Sequence, residues 1–229
     1  MKSIAIIPAR KGSKRVPGKN IKILGNKPLI QYTIDHALQS RTIDLIYITS
    51  DDQHIKELAT KSNCTFINRP SEYSADSSST IDVIKHFLHM TNLNNEKVII
   101  HLLQPTVPFR RSDLTDESTL KMNDGDYDSI TSHIKVDFFH PNRLKSIKGN
   151  YLTPYNQQED ETCSRSDLPP VYCRDGSIYS FWSDRIIPMN SIFGTKQGYV
   201  LNDPSMHVNI DTPTDWYLAQ ALLEKFSAQ

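Results

Sequence analysis

The chain has 229 residues, 26 Lys and Arg against 26 Asp and Glu, and 38% hydrophobic residues, so its formal net charge is zero. That length suits one large domain or one domain with an extension. Balanced charge argues against a dedicated nucleic-acid or membrane-surface protein, and no apolar run approaches the roughly 20 residues of a membrane span. Pro8 and Arg10 interrupt the N-terminal apolar run, so no signal peptide is expected. Cys64, Cys163 and Cys173 are an odd, scattered set without metal-ligand spacing, which suits reduced thiols in a cytoplasm.

Residues 4–8 form an apolar run that reads as a buried first strand. The next segment carries Arg10, Lys11, Lys14, Arg15, Lys19 and Lys22, whereas the first acidic residue is Asp35. In open α/β sheets ligands bind beyond the carboxyl ends of strands, and cations without carboxylates suit a polyphosphate. Gly12 and Gly18 allow backbone angles that turn amides and Ser13 toward an anion. The spacing is neither a Walker A loop nor the dinucleotide Gly-x-Gly-x-x-Gly. A solvated basic turn is the plainer alternative.

Leu29, Ile30, Thr33, Ile34, Ala37 and Leu38 share a helical face. Residues 43–49 predict a second strand, 55–61 a helix and 64–67 a short third strand. Ser79 and Asp82 form a capping box opening a helix through Leu88, and 98–103 is another buried strand running into Gln104-Pro105-Thr106. Such β-α-β alternation predicts a mainly parallel sheet flanked by helices. From about 137 to 175 the regularity breaks into prolines and polar runs, which read as an arm or loop inside a single 1–229 domain. A strand at 177–182 follows. A last helix opens with Thr212 as N-cap, Pro213 at its first position and Asp215 closing the box, its apolar face being Leu218, Ala221, Leu222 and Phe226.

As a whole string, Ile7-Pro8-Ala9-Arg10, Gly12-Ser13-Lys14 and Lys19-Asn20 resemble the signature of the acylneuraminate cytidylyltransferases, the CMP-sialic acid synthetases. Relatives in that family activate legionaminic, pseudaminic and 3-deoxy-octulosonic acids. The resemblance implies a Rossmann-like α/β fold in which the irregular segment is a dimerisation arm reaching into the neighbouring subunit's sugar site. It also implies that CTP and a nonulosonic acid are the substrates, with Mg²⁺ as cofactor. On this reading Arg10, Lys14 and Lys19 neutralise the triphosphate, and Ser13, Asn20, Thr80 and Gln104 hold the nucleotide.

Further segments carry the resemblance through the chain. Residues 75–80 match the stretch that helps hold the cytosine nucleotide, and Gln104-Pro105-Thr106-x-Pro108 matches the family's Leu-Gln-Pro-Thr-Ser-Pro motif. A side-chain amide at a strand's carboxyl end can bind a base or sugar edge. The segment 139–143 matches a His-Pro stretch ending in a basic residue, so Arg143 is a candidate partner for a carboxylate across a dimer interface. Arg165-x-x-Leu168-Pro169 followed by Arg174-Asp175-Gly176-Ser177-Ile178-Tyr179 resembles Arg-x-x-Leu-Pro and Arg-x-Asn-Gly-Ala-Ile-Tyr. Arg165 and Arg174 are therefore candidates for a sugar carboxylate, which a guanidinium fork can hold with two hydrogen bonds. Tyr179 and Phe193 would form the sugar wall.

Two departures stand out. Asp175 replaces the usual Asn, which predicts an added negative charge near an acidic substrate. Asn209 and Asp211 stand where the family carries Asp-Ile-Asp, so a metal would have Asp211 and only a neutral carbonyl from Asn209. The expected reaction is attack of a sugar anomeric hydroxyl on the α-phosphorus of CTP. The alternatives are a 3-deoxy-octulosonate synthetase or a nucleotide-binding relative without turnover.

Overall fold

A computed structural model describes residues 1–75, 78–93, 96–136, 139–155 and 164–227. Asp76, Ser77, Cys163 and the polar run 157–161 lie outside the described residues, as does the side chain of Arg165. The first strand, β1 (Ser3–Pro8), sits at the middle of the sheet because nearly every one of its side chains can be buried on one face or the other. Ile4 and Ile6 enter the core below α3 (Thr80–Thr91) and α5 (Ser183–Met189). Ala5 and Ile7 enter the core beneath α1 (Leu29–Gln39), α2 (Gln53–Lys61) and α4 (Leu114–Asp124). The period-two alternation of β1 thus feeds both sides of a three-layer sandwich.

The remaining strands are β4 (Leu45–Ser50), β5 (Thr65–Asn68), β6 (Ile99–Leu102), β7 (Ser129–Val136), β10 (Val171–Trp182) and β11 (Gln197–Leu201). Among the described residues they form a seven-stranded sheet in the order β11-β7-β10-β6-β1-β4-β5. β1, β4, β5 and β6 pair in parallel, whereas β10 runs antiparallel to both β6 and β7. The chain moves outward through β4 and β5, then returns to place β6 on the other side of β1. That reversal opens a crevice beyond the carboxyl ends of β1 and β6, where ligands of such folds bind. Short ribbons β2 (Ile23–Leu24) with β3 (Lys27–Pro28), and β8 (Lys145–Lys148) with β9 (Tyr151–Pro154), stand apart from the main sheet.

The expected mainly parallel, helix-flanked sheet is present, with local corrections. Leu38 is half exposed rather than on the buried face of α1. On the last helix, α6 (Pro213–Ser227), the capping hydrogen bond runs from the Thr212 amide to Asp215 at 2.7 Å, as the box predicts. Its buried face, however, is Trp216, Ala219, Leu222, Leu223 and Phe226, while Leu218 points to solvent. Trp216 sets that rotation, since burying its large ring removes more apolar area from water than a leucine would. The described residues of the segment 137–175 are more ordered than its sequence suggests. They include the β8–β9 hairpin, turned at Gly149 with φ +60°, and the last of them begin the long strand β10.

Candidate active site

Where β1 ends, the basic loop folds back on itself. Gly18 adopts φ +61°, a left-handed angle that favours glycine, and lets the amides of Ile21 and Lys22 bond to its carbonyl. Asn20 donates from Nδ2 to the Arg10 carbonyl at 3.0 Å, which closes the loop into a cradle. A cavity of about 430 Å³ opens over it, between the ends of β1 and β6. Arg10, Ser13, Lys19 and Asn20 line it together with Thr80 and Gln104, as the sequence predicts. The other cations of the loop are spent elsewhere: Lys14 is exposed and outside the cavity lining, and the Lys22 ammonium lies 4.3 Å from the Trp216 ring centre. A contiguous basic run cannot all face one point, because its side chains radiate from a turning backbone.

The cavity has two walls that sequence reasoning missed. Arg69, just past the end of β5, is 5% exposed and donates from Nη2 to the Thr49 carbonyl at 2.5 Å. Burial lowers its pKa to about 10, Arg10 adds to that effect, and Asp51 opposes it. Tyr73 lies on the same cavity and stacks against His86 of α3, ring centres 4.9 Å apart. The available signal was position: Arg69 follows a parallel strand at its carboxyl end, as Arg10 does. The expected 75–80 stretch contributes Ala75, Ser78 and Thr80. Ser79 caps α3: its Oγ accepts from the Asp82 amide at 3.2 Å and donates to the Asp82 carboxylate at 2.6 Å.

A second cavity of about 360 Å³ continues from the first, sharing Thr80, Leu102 and Gln104. Arg174, Tyr179 and Phe193 meet there, as predicted. The Arg174 guanidinium lies 4.6 Å from the Phe193 ring centre and 5.8 Å from that of Tyr179. The two rings meet edge to face at 6.1 Å. Burial raises the Tyr179 phenol above its ordinary value, Arg174 opposes that, and Tyr179 is held as a neutral hydroxyl. A fixed cation beside an aromatic wall is a site for an anionic ligand with an apolar flank.

Asn209 and Asp211 both face the first cavity, though not from a strand. Residues 207–210 are extended without a ladder, anchored by the Ile210 amide to the Thr106 carbonyl at 2.8 Å, and Val208 and Ile210 take the buried side. Asp211 is engaged by Lys19 at 3.1 Å, and the same ammonium donates to the Ile210 carbonyl. Lys19 therefore ties the basic loop to this acidic segment as well as lining the cavity.

Two further expectations come out differently. Arg143 is exposed in the 3₁₀ turn Pro141–Arg143, outside both cavities of its own chain. Asp175 does not face the sugar cavity. It is buried, accepting from Ser132, from Ser177 at 2.6 Å and from the Asn202 amide at 2.9 Å. Burial alone would raise its pKa, but these donors hold it below the usual carboxylate range, so it stays ionised.

A sheet reversed beside β1, with a cationic cradle at the reversal, defines a nucleotide-binding α/β protein. The family model described as Cytidylyltransferase matches residues 4–228, and the chain belongs to that family. It is 33% identical over 98% of its length to a protein of Legionella pneumophila named CMP-N,N'-diacetyllegionaminic acid synthase, covering 97% of that protein. It is 30% identical to the N-acylneuraminate cytidylyltransferase of Streptococcus agalactiae serotype V over 94% of its own length, but spans 52% of that longer protein. The solved structure of CMP:2-keto-3-deoxy-manno-octonic acid synthetase complexed with CTP superposes with a TM-score of 0.73, covering 99% of this chain and 100% of that one at 19% identity. That likeness concerns the fold.

Proposed function

We propose that this chain is a CTP:nonulosonate cytidylyltransferase, joining CMP to the anomeric oxygen of a sialic-acid-like sugar. The observation that carries the reading is the junction of two cavities at Gln104. One is lined by Arg10, Lys19 and Arg69, the other by Arg174, Tyr179 and Phe193. The first suits a nucleoside triphosphate and the second a carboxylated sugar. Relatives named for legionaminic and neuraminic acids support this over the octulosonate alternative, which is represented by a structure at 19% identity.

In this reading the anomeric hydroxyl oxygen forms a bond to the α-phosphorus, the bond to the bridging β-oxygen breaks, and pyrophosphate leaves. The hydroxyl proton passes to solvent. Arg10 and Lys19 neutralise the phosphates and Arg174 holds the sugar carboxylate. Chemistry of this kind rests on positioning and charge stabilisation. Asp211, with Asn209 beside it, would hold Mg²⁺ together with phosphate oxygens and water. Two donors on one segment leave the remaining coordination positions to phosphate oxygens and water. When bound, the ion supplies charge neutralisation at the phosphates.

The functional unit in this reading is a homodimer. The β8–β9 hairpin exposes Ile147, Tyr151 and Leu152 at 78%, 77% and 67%, an apolar surface that a monomer of this polarity does not bury. Arg143 and Arg165 would act in the partner's site. Among the described residues no helix is long and apolar enough to cross a membrane, and the free thiols of Cys64 and Cys173 suit the cytoplasm. The test is pyrophosphate release on mixing the protein with CTP, Mg²⁺ and a panel of nonulosonic and octulosonic acids. Release with octulosonate alone, or with none of the panel, overturns the reading.

A further inference from the structure

Arg110 follows the Gln104 loop, is 6% exposed and lines neither cavity. Its guanidinium nevertheless reaches both walls of the site. Nη2 donates to the Gln104 carbonyl at 2.6 Å, Nε to the Ser177 carbonyl at 2.9 Å, and Nη1 to Thr33 Oγ1 on α1 at 3.0 Å. Gln104 is shared by the two cavities, together with Thr80 and Leu102. Ser177 lies in the bulge of β10, between Arg174, which pairs with His133, and Tyr179, which pairs with Thr131. The bulge comes close to Gln104: Gly176 sits at φ +80°, and a Cβ there would stand 3.1 Å from Gln104 Oε1.

We propose that Arg110 is a positioning residue that sets the sugar half of the site by tying the Gln104 loop to the β10 bulge. This rests on the cytidylyltransferase reading. A bulge is a locally unpaired stretch of strand, and its carbonyls need partners from elsewhere. The guanidinium supplies one for Ser177 and another for the loop across the crevice, in the fixed geometry of a planar fork. The distance from the Gln104 amide to Arg174 and Tyr179 is thereby set from beneath. Burial pulls the Arg110 pKa down to about 9, and the Asp175 charge opposes that. Asp175 is in turn fixed by Ser177, Ser132 and Asn202. Asp175 thus braces the bulge from beneath through Ser177, the residue whose carbonyl Arg110 holds, and it lines neither cavity. The walls contributed by Arg10 and Arg69 hang from other segments, and Lys19 meets the Gln104 loop only indirectly, through Ile210 and the Thr106 carbonyl.

The test is Arg110→Lys, which keeps a cation for Asp175 but cannot bond both carbonyls in the fork arrangement. Folding is checked by thermal melting, and KM is measured separately for sugar and CTP. The sugar KM should rise at least tenfold while the CTP KM stays within about twofold. In a Gln104→Ala background the same change should raise the sugar KM by less than threefold. Thr33→Val, which removes the third anchor with little change of shape, should act in the same direction by about threefold, and it carries the test if Arg110→Lys does not fold. Equal shifts in both KM values, or no shift in a folded variant, overturn the proposal. A wild-type chain that releases no pyrophosphate with any sugar overturns the functional reading instead. Amide hydrogen exchange at residues 104–107 and 175–179 then decides the tie by itself, since it should quicken in Arg110→Lys, and unchanged exchange refutes it.

Discussion

Lys19→Met separates what Lys19 does for the fold from what it does for the phosphates. The side chain is about 10% exposed, so methionine keeps most of the packing of its stem and loses the ammonium. Two contacts go with it. The pair with Asp211 contributes little to stability, because that carboxylate is 57% exposed and exposed pairs contribute about 0–1 kcal/mol. The Ile210 carbonyl loses a buried donor, a cost of about 1–3 kcal/mol. At about 2–4 °C per kcal/mol for a chain of this size, the melting temperature should fall by roughly 2–12 °C, leaving the protein folded at 25 °C. The loss to catalysis should be larger. Removing one preorganised charged donor from a developing phosphate charge costs about 3 kcal/mol, or roughly 150-fold in kcat/KM for CTP. Pyrophosphate release at varied CTP, beside a thermal melt, reads both quantities. A fall of less than threefold in a folded variant would mean that Lys19 merely pins residues 208–211 to the basic loop. The double variant with Asp211→Asn goes one step further. If Asp211 served only to hold Lys19, the double variant would match the worse single one; a metal role of its own makes the double variant worse still.

The remaining expectations follow the same site outward. Asn209→Asp should lower the Mg²⁺ concentration giving half-maximal rate, since a carboxylate binds a hard dication more strongly than an amide; an unchanged requirement moves the metal elsewhere. Arg174→Ala should raise the sugar KM by tenfold or more with the CTP KM unchanged, and parallel changes in both would remove Arg174 from the sugar cavity. Ile147→Asp with Leu152→Asp should shift the protein to monomer in sedimentation velocity, and a dimer that survives both places the interface away from the hairpin. Stability should also fall with acid. Burial lowers His36 and His101 to about 3, so both are neutral when folded, whereas the unfolded chain takes up their protons below about 6.5. Stability is unaffected by them above that pH and declines from about 6.5 toward 3. The decline approaches 1.4 kcal/mol per pH unit for each histidine, and denaturant midpoints at pH 7 and pH 5 measure it.

The parallel half of the sheet was legible because β1 and β6 are buried on both faces and, with β4 and β5, read as apolar runs followed by proline or polar residues. β7 and β11 were not, because Ser129, Thr131 and Ser132 are buried polar residues, and β11 alternates around two tyrosine- and leucine-bearing exposed positions at an edge. Their burial comes from pairing with β10, a long-range event that no local window contains. The same limit applies to the site. Arg10, Lys19, Gln104, Arg174, Tyr179 and Phe193 came from the family resemblance, and the structure places them along the two cavities. Arg69 and Tyr73 belong to no string, and Asp175 was placed on the wrong side of its strand. A one-residue alternation cannot be extrapolated through a bulge, where the side-chain period of two is broken.

The direction of β10 explains why one crevice can serve two unlike substrates. Parallel strands offer only their carboxyl ends to a crevice on one edge of the sheet, and here those ends supply Arg10, Arg69 and Gln104. Had β10 also run parallel to β6, its contribution would have been another loop beside these. Running antiparallel, it pairs Tyr179 with Leu102 at the end of β6 and brings the residues that precede Tyr179 past the crevice, Arg174 among them. In the proposed reading, Arg174 and Tyr179 of the sugar wall belong to a strand paired on both sides of its bulge, Phe193 joins them from the segment after α5, and the nucleotide cradle is built from loops. Changes within residues 174–179 should alter which acid is accepted with little effect on CTP, and changes in residues 10–20 should do the opposite. Exchanging residues 174–179 with those of a relative of different sugar preference, then measuring both KM values, tests that division. A transferred segment that shifts the CTP KM as much as the sugar KM would show that the two halves are one mechanical unit.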